Sequence, residues 1–252
     1  MCGRYDRQII IDKIGEEGQA RLACSSVAVI GMGGLGSPIL TYLALAGVGK
    51  LTLVDYDVVE ISNLNRQFLH GTGDIGRKKA ISVQEKIKAL NPQIEIRPLA
   101  VELTEDNAEE LLSGHNLIVG ALDSLEARLI VNETCVNLGI PYIDGGVKEF
   151  GGRVMFSQPP QTPCFHCLFP PIKKEKEAVG VLGVTAGIIG GIQAEIALIH
   201  LLGLPNPLEN KLLIFDGLRL TMNLVDIVRD EKCEVCGERT DNICESIGLK
   251  EG

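Results

Sequence analysis

The residues able to do chemistry fall into a glycine turn, a set of charged side chains downstream of it, and paired cysteines. Gly31, Gly33 and Gly36, in the run Gly31-Met-Gly-Gly-Leu-Gly36, have the G-x-G-x-x-G spacing and follow a β-branched run, Ser26 to Ile30. There, backbone N–H groups can approach phosphate oxygens at a helix N-terminus, where partial positive charge lies. Asp55 ends the next apolar run, Leu51 to Val54, and is placed to hold ribose hydroxyls. Arg66 and Lys79 are cations beside this phosphate site, and Asp57 and Asp123 are further acids past strand ends. Cations neutralise phosphate charge and an acid holds magnesium, so the set fits transfer chemistry on a triphosphate. Hydride transfer to a nicotinamide has no use for them. Each residue also has a plain structural reading: a turn that only packs helix on strand, Lys79 solvated at a helix start, Asp123 as the N-cap of the helix after it.

Cys164-x-x-Cys167 and Cys233-x-x-Cys236 are flanked by the turn residues Pro163 and Gly237. Two such knuckles supply the ligand set of a closed, structural zinc, and the long gap between them means the metal ties the C-terminal end back to the middle of the chain. The alternative is two unrelated pairs of reduced thiols. A redox pair would open a helix from a thioredoxin-like strand, and neither is expected to do so. His166 lies inside the first pair as a competing ligand, left out because the cysteines complete the set.

These residues need a scaffold, and the pattern of elements supplies one. A short helix at 15–22 is expected, then strand 26–30, helix 38–46 and strand 51–54. Helix 76–90 follows, with Lys78 and Lys79 in its first turn and Pro92 after its stop. Next come strand 95–99, helix 107–112, strand 117–122 ending at Asp123, helix 126–138 and strand 141–144. This alternation implies an α/β, Rossmann-like fold with a mostly parallel sheet, whose ligand edge lies at the C-terminal ends of the strands. Strands at 151–156, 211–216 and 219–228 continue it in the C-terminal half. There, a proline-rich segment, 159–171, a charged and then Gly/Val-rich crossing loop, 172–183, and a helix, 184–202, separate the first strand from the last two.

The 252 residues, 45% hydrophobic, suffice for one large domain with a proper core. A net charge of −9 disfavours non-specific nucleic-acid binding, and Lys173, Lys174 and Lys176 read as solvated loop. No secretory signal is read before the eight cysteines, and half of them fall in C-x-x-C pairs, so a reducing, cytoplasmic compartment is expected. The one long apolar stretch, Val179 to Leu204, holds Gln193, Glu195 and His200. Glu195 in mid-bilayer would cost roughly 2.5–3.5 kcal/mol, the insertion figure for the comparable Asp, so a buried helix is expected and no membrane span.

Taken in order, Arg4-Tyr5-Asp6-Arg7-Gln8, Gly31 to Gly36, Asp55-Tyr-Asp57, Ser62-Asn-Leu-Asn-Arg66-Gln67, Lys79, Asp123 and the cysteine pairs closely resemble the ThiF/MoeB/HesA group. These adenylyltransferases activate ubiquitin-like sulfur-carrier proteins and are relatives of ubiquitin-activating enzymes. The resemblance covers about residues 4–237. It implies nucleotide binding by Gly31, Gly33, Gly34, Asp55, Asp57 and Leu122, with Asp55 on the ribose. Asn63, Arg66 and Lys79 would hold the phosphates and Asp123 would serve Mg2+. Arg7 looks like the family's arginine finger, supplied across a homodimer interface, so the implied catalytic set is Arg7, Arg66, Lys79 and Asp123. The metal set is Cys164, Cys167, Cys233 and Cys236.

The reaction implied is attack by a carrier's C-terminal Gly-Gly carboxylate on ATP, giving an acyl adenylate for a sulfur donor. The carrier would be of the ThiS or MoaD type; thiamine, molybdopterin and tRNA-thiolation routes share this activator. A single adenylation domain is expected, with a nucleotide-binding half at about 25–148, a carrier and zinc half at about 149–237, and a polar tail at 238–252. The alternatives are a tRNA threonylcarbamoyladenosine dehydratase, disfavoured by the acidic charge and the zinc cysteines, and a non-catalytic carrier-docking subunit, disfavoured by intact Arg7, Arg66, Lys79 and Asp123.

The chain departs from the family in two places. Many relatives carry a cysteine in the crossing loop, and residues 172–183 contain none; nor is a rhodanese-like segment read after residue 237. The expectation is therefore a protein that stops at the acyl adenylate. Cys24 and Cys135 are expected to be packed, and Cys2 and Cys244 are the mobile thiols, Cys244 the better rival for a covalent step.

Overall fold

The computed structural model of the chain describes residues 3–171 and 179–237. Cys2, Lys173, Lys174, Lys176, Cys244, most of the expected crossing loop and the expected polar tail lie outside the described residues. In chain order the elements are α1 (Asp6–Ile9), α2 (Gly15–Cys24), β1 (Ser26–Ile30), α3 (Gly36–Ala46), β2 (Lys50–Val54), α4 (Lys79–Leu90), β3 (Glu95–Leu99) and α5 (Glu105–Leu112). There follow β4 (Leu117–Gly120), α6 (Leu125–Leu138), β5 (Tyr142–Lys148), β6 (Gly151–Ser157), α7 (Phe165–Leu168), α8 (Gly183–Leu201), β7 (Lys211–Asp216) and β8 (Thr221–Asp226).

All eight strands form one sheet in the order β3-β2-β1-β4-β5-β6-β7-β8. The pairings from β3 to β5 are parallel, as the strand–helix alternation requires, and those from β5 to β8 are antiparallel. The chain leaves β1 toward β2 on one side and returns to β4 on the other. The crevice past the C-terminal ends of β1 and β4 is thus the topological switch point, where ligands bind in such sheets.

Successive side chains of β1 feed opposite faces of the sheet, as strand geometry demands. Val27 and Val29 pack with Leu40, Leu43, Val83 and Ile189 of α3, α4 and α8. Ala28 and Ile30 pack with Leu112, Val131 and Cys135 of α5 and α6. Burial of these side chains, each worth about 1.5–3 kcal/mol for a Val or Leu, holds the helices and hence their N-terminal turns in place. By length and composition α8 could cross a membrane, yet it lies against α3, β5 and β6. Its Gln193, fully buried, donates from Nε2 to the Gly120 carbonyl at 2.8 Å.

Some boundaries differ from those read along the chain. The helix expected from residue 76 starts at Lys79. Gly76 has φ +84°, and Lys78 is extended and bridges Val58, so neither continues a helix. The helix expected at 15–22 is α2, which starts at Gly15 and runs on to Cys24, and a further short helix, α1, precedes it. The strand expected to reach residue 122 ends at Gly120, leaving Ala121 to Asp123 in the turn before α6.

Candidate functional site

Gly31 follows β1 with φ +99°, a conformation that strains any side chain, and a Cβ there would lie 2.5 Å from the Ala121 carbonyl oxygen. A Cβ on Gly36 would lie 2.2 Å from the Gly31 carbonyl oxygen. These two contacts press the turn onto both the end of β4 and the start of α3, so its backbone sits at the positive end of an eleven-residue helix. Above Gly33 there is room: a Cβ would meet only Gln67, at 3.6 Å.

Asp55, at the end of β2, is tied to this turn. Its Oδ2 accepts the Met32 N–H at 2.7 Å and its Oδ1 the Asp57 N–H at 2.8 Å. Burial raises its pKa, opposed by the N–H of Met32 and by the nearby charge of Lys79. Each oxygen keeps a lone pair for a further donor such as a hydroxyl. Lys79, at the N-terminus of α4, is buried and reaches Asp57 Oδ2 at 2.9 Å. Asp57 is half-exposed, so the pair opens outward from the crevice.

Asn63 and Arg66 lie in the loop between β2 and α4. Asn63 Oδ1 accepts the Glu60 N–H at 3.1 Å, closing a short helical turn. Arg66 donates from Nη1 to the Ser62 carbonyl at 2.8 Å and to Asn65 Oδ1 at 2.9 Å. Its stem runs beside Gly34, where a Cβ would be 3.4 Å from Arg66 Cγ. Asp123 is exposed, two residues past Ala121, and no hydrogen bond or ion pair engages its carboxylate among the described residues. It is not the N-cap of α6: Ser124 is, accepting the Ala127 N–H at 3.1 Å, which leaves the Asp123 carboxylate free of that duty. Leu122 packs with the α5–α6 face of the sheet, and its carbonyl is held by Arg128.

Thus Gly31, Gly33, Gly34, Asp55, Asp57, Asn63, Arg66, Lys79, Leu122 and Asp123 come to one edge of the sheet. Arg7 does not. Its helix α1 is anchored to the far ends of α3 and α4: Gln8 donates to the Ala46 carbonyl at 3.0 Å and Arg4 to the Leu90 carbonyl at 2.9 Å. α3 alone separates the two regions by roughly 15 Å, at 1.5 Å per residue. Arg7 instead lines a groove of about 490 Å³ with Ile11, Leu198, Leu202 and Glu195.

Cys164, Cys167, Cys233 and Cys236 converge, their sulfurs all within 4.8 Å of one another. The closest pairs are Cys164–Cys167 at 3.8 Å, Cys164–Cys233 at 3.7 Å and Cys167–Cys236 at 3.4 Å. A tetrahedron of Zn–S bonds of about 2.3 Å has edges of about 3.8 Å, so the set fits zinc. His166 stays outside it, with Nδ1 3.6 Å from the Cys233 sulfur. Burial raises the Cys233 thiol, but the N–H groups of Cys236 and Val235, with the thiols of Cys167 and Cys164, outweigh it and lower the group below the usual thiol value. The first pair opens only a four-residue helix, with Cys164 as the N-cap of α7. No strand feeds that helix directly, because β6 ends at Ser157. Cys135 is buried, but Cys24, expected to be packed, is exposed. α2 buries the face carrying Gly18, Gln19 and Leu22, and Cys24 falls on another.

Several residues at this edge were given no role along the chain. Gln67, 4% exposed, faces the glycine turn, and its Oε1 has no partner among the described residues. His70 bridges that turn to α4, with Nε2 3.1 Å from the Met32 carbonyl and Nδ1 3.0 Å from Ser82 Oγ. The carbonyl can only accept, so Nε2 carries the proton and Nδ1 accepts from Ser82. Arg128, Asp144 and Arg153 form a buried ionic cluster behind Leu122. The sequence hint was a charge within otherwise apolar runs, as at Arg128 and Asp144.

The ThiF family profile matches residues 5–235. The chain is 41% identical over 246 residues to a sulfur carrier protein adenylyltransferase of Thermus thermophilus, covering 93% of this chain and 90% of that one. It is 39% identical over 253 residues to the SAMP-activating enzyme E1 of Haloferax volcanii, covering 98% and 93%. The fold matches a crystal structure of E. coli MccB with succinimide at a TM-score of 0.85, over 94% of this chain and 74% of that one, at 21% identity.

Proposed function

The chain belongs to the ThiF family, and on that premise we propose that it is an ATP-dependent adenylyltransferase acting on the C-terminal carboxylate of a ubiquitin-like sulfur-carrier protein. The observation that carries the site assignment is the meeting of the glycine turn, Asp55, the Lys79–Asp57 pair and the exposed Asp123 at one switch-point edge. ATP would lie across it. The ribose hydroxyls would donate to Asp55. The phosphates would face the N–H groups of Gly33 and Gly34, the Arg66 guanidinium, Asn63 and Lys79, with Leu122 beside the nucleotide.

A carboxylate oxygen of the carrier's terminal glycine attacks the α-phosphorus. The new O–P bond forms as the bond to the oxygen bridging to the β-phosphorus breaks, and pyrophosphate leaves with that electron pair. The carboxylate is already ionised and needs no base, so this chain supplies alignment and charge neutralisation. Lys79, oriented by Asp57, and Arg66 bear on the phosphate oxygens. Asp123 is an exposed hard oxygen donor and fits Mg2+, which when bound offsets the charge developing on the leaving pyrophosphate. The cysteine knuckle fits a closed zinc with no open position for water, a structural role. Arg7, distant from the edge of its own chain, would act on the site of a second copy in a homodimer. A separate sulfur donor then attacks the acyl adenylate.

The test is exchange of labelled pyrophosphate into ATP with magnesium and a Gly-Gly-ended carrier of the ThiS or MoaD type. Exchange is expected for the wild-type chain and its loss for Asp123→Ala. Reduction of NAD without exchange on any such carrier would overturn the reading.

A further inference from the structure

Arg128 lies in the first turn of α6 and is 7% exposed. A cation there adds to the positive end of the helix dipole, and burying a guanidinium is costly unless it is paired. Helix stability therefore does not account for it. The guanidinium turns back toward the sheet and forks: Nη1 donates to Asp144 Oδ1 on β5, and Nη2 donates to the Leu122 carbonyl. Among the described residues no other donor reaches that carbonyl.

Asp144 is a fixed point. It is 1% exposed, and it also accepts from Arg153 Nη1 at 2.5 Å and from the Tyr142 hydroxyl at 3.1 Å. Arg153 in turn lies over the Phe169 and Phe165 rings, 4.1 and 5.3 Å from their centroids. One arm of Arg128 is thus held by a rigid, buried cluster. The other holds the residue immediately before Asp123, in a turn that belongs to neither β4 nor α6.

We propose that Arg128 is a positioning residue for adenylation: its forked guanidinium clamps the turn carrying Asp123 to Asp144, and so fixes where the Asp123 carboxylate stands over the switch point. This rests on the reading of Asp123 as the acid that holds Mg2+. An ion pair serving stability alone needs only the arm on Asp144. The arm on the Leu122 carbonyl gives Arg128 a role in the geometry of the site.

Arg128→Lys separates the two arms, because an ammonium keeps the charge beside Asp144 but lacks the fork. Mn2+ affinity is measured from the free-Mn2+ paramagnetic resonance signal with a non-hydrolysable ATP analogue present, alongside pyrophosphate exchange. In folded Arg128→Lys, binding of the analogue without metal should stay within about threefold of wild type, while Mn2+ affinity and exchange fall roughly 10–100-fold, the usual cost of losing an outer-shell partner of a metal ligand. Should that variant fail to fold, Arg128→Met/Asp144→Asn/Arg153→Met removes all three charges of the cluster together, the kind of replacement that buried ionic triads tolerate, and is read the same way. Unchanged Mn2+ affinity in the folded variant overturns the proposal. Asp123→Asn is measured in parallel. If it binds Mn2+ as wild type does, the reading of Asp123 fails and the proposal fails with it. If Asp123→Asn weakens Mn2+ and the Arg128 variant does not, the positioning role alone is refuted.

Discussion

Asp55 and Asp123 are both carboxylates past a strand end, yet their surroundings assign them different work. Asp55 satisfies the N–H groups of Met32 and Asp57, whereas Asp123 satisfies nothing among the described residues. Asp55→Ala should therefore leave two donors without partners, at about 1–3 kcal/mol for each that is buried, as well as weakening ATP binding. A lowered urea midpoint together with a raised KM for ATP is the expected result. Asp123→Ala should abolish exchange with the urea midpoint unchanged. Lys79 stands between these cases. Lys79→Met removes one preorganised cation, so exchange should fall about 10²–10³-fold, the usual cost of one such donor, while leaving the half-exposed Asp57 free to rehydrate. An equal fall in folded fraction would assign Lys79 to the fold instead.

The element whose loss should be felt most widely is the cysteine knuckle. It joins the segment after β6 to the segment after β8, and Phe165, between two of its cysteines, donates its backbone N–H to Asn132 of α6 at 2.7 Å. With zinc bound, the closed loop from Cys167 to Cys233 constrains the unfolded chain, so metal loss should lower thermal stability more than intrinsic chemistry. About one zinc per chain is expected on metal analysis. Cys233→Ser should lose the metal and melt at a lower temperature, and protein made with zinc available but carrying none would refute the assignment. The outermost strand β8 is exposed along its whole length, with Met222, Leu224 and Val225 all open.

Across the whole molecule, one buried histidine, His70, and two half-buried ones, His115 and His200, set a pH dependence. Burial lowers the pKa of His70, His115 and His200 below the usual imidazole value. Their unfolded forms bind protons more readily than the folded ones, so stability is fully present above about pH 6.5 and falls as pH drops through that value. Asp74, held well below the carboxylate range by the Gly71 N–H, Lys86 and Arg77 against the opposing effect of its burial, adds a second loss only in the acid range. The denaturant midpoint should be higher at pH 7.5 than at pH 5.5, and His70→Gln should narrow that difference; an unchanged difference would remove His70 from the account. Assembly is the other property at this scale. Ile10 and Ile11, beside Arg7, are 68% and 50% exposed, a surface suited to a second copy. Mixed dimers of Arg7→Ala and Asp123→Ala chains should recover part of the exchange activity, and dimers shown to form without recovery would place Arg7 outside the site.

What the sequence by itself determined is what short-range geometry controls. Gly31 and Gly36 were legible because no other residue tolerates their contacts, and Asp55 because a fixed strand length puts it opposite that turn. The cysteine pairs were legible because each C-x-x-C spacing is a chemical constraint on neighbours. The parallel half of the sheet followed from the alternation of strand and helix, since that connection permits little else. Tertiary structure decided the rest, because register and strand order bring together residues far apart in the chain. The antiparallel run β6 to β8, the start of α4 at Lys79, and the exposure of Cys24 each depend on which face a neighbour covers. Arg128 and Asp144, sixteen residues apart, meet only because β4 and β5 are adjacent. Asp123 gave no sign in the sequence of being released from capping, for it is Ser124, one residue on, whose geometry takes the helix N-terminus.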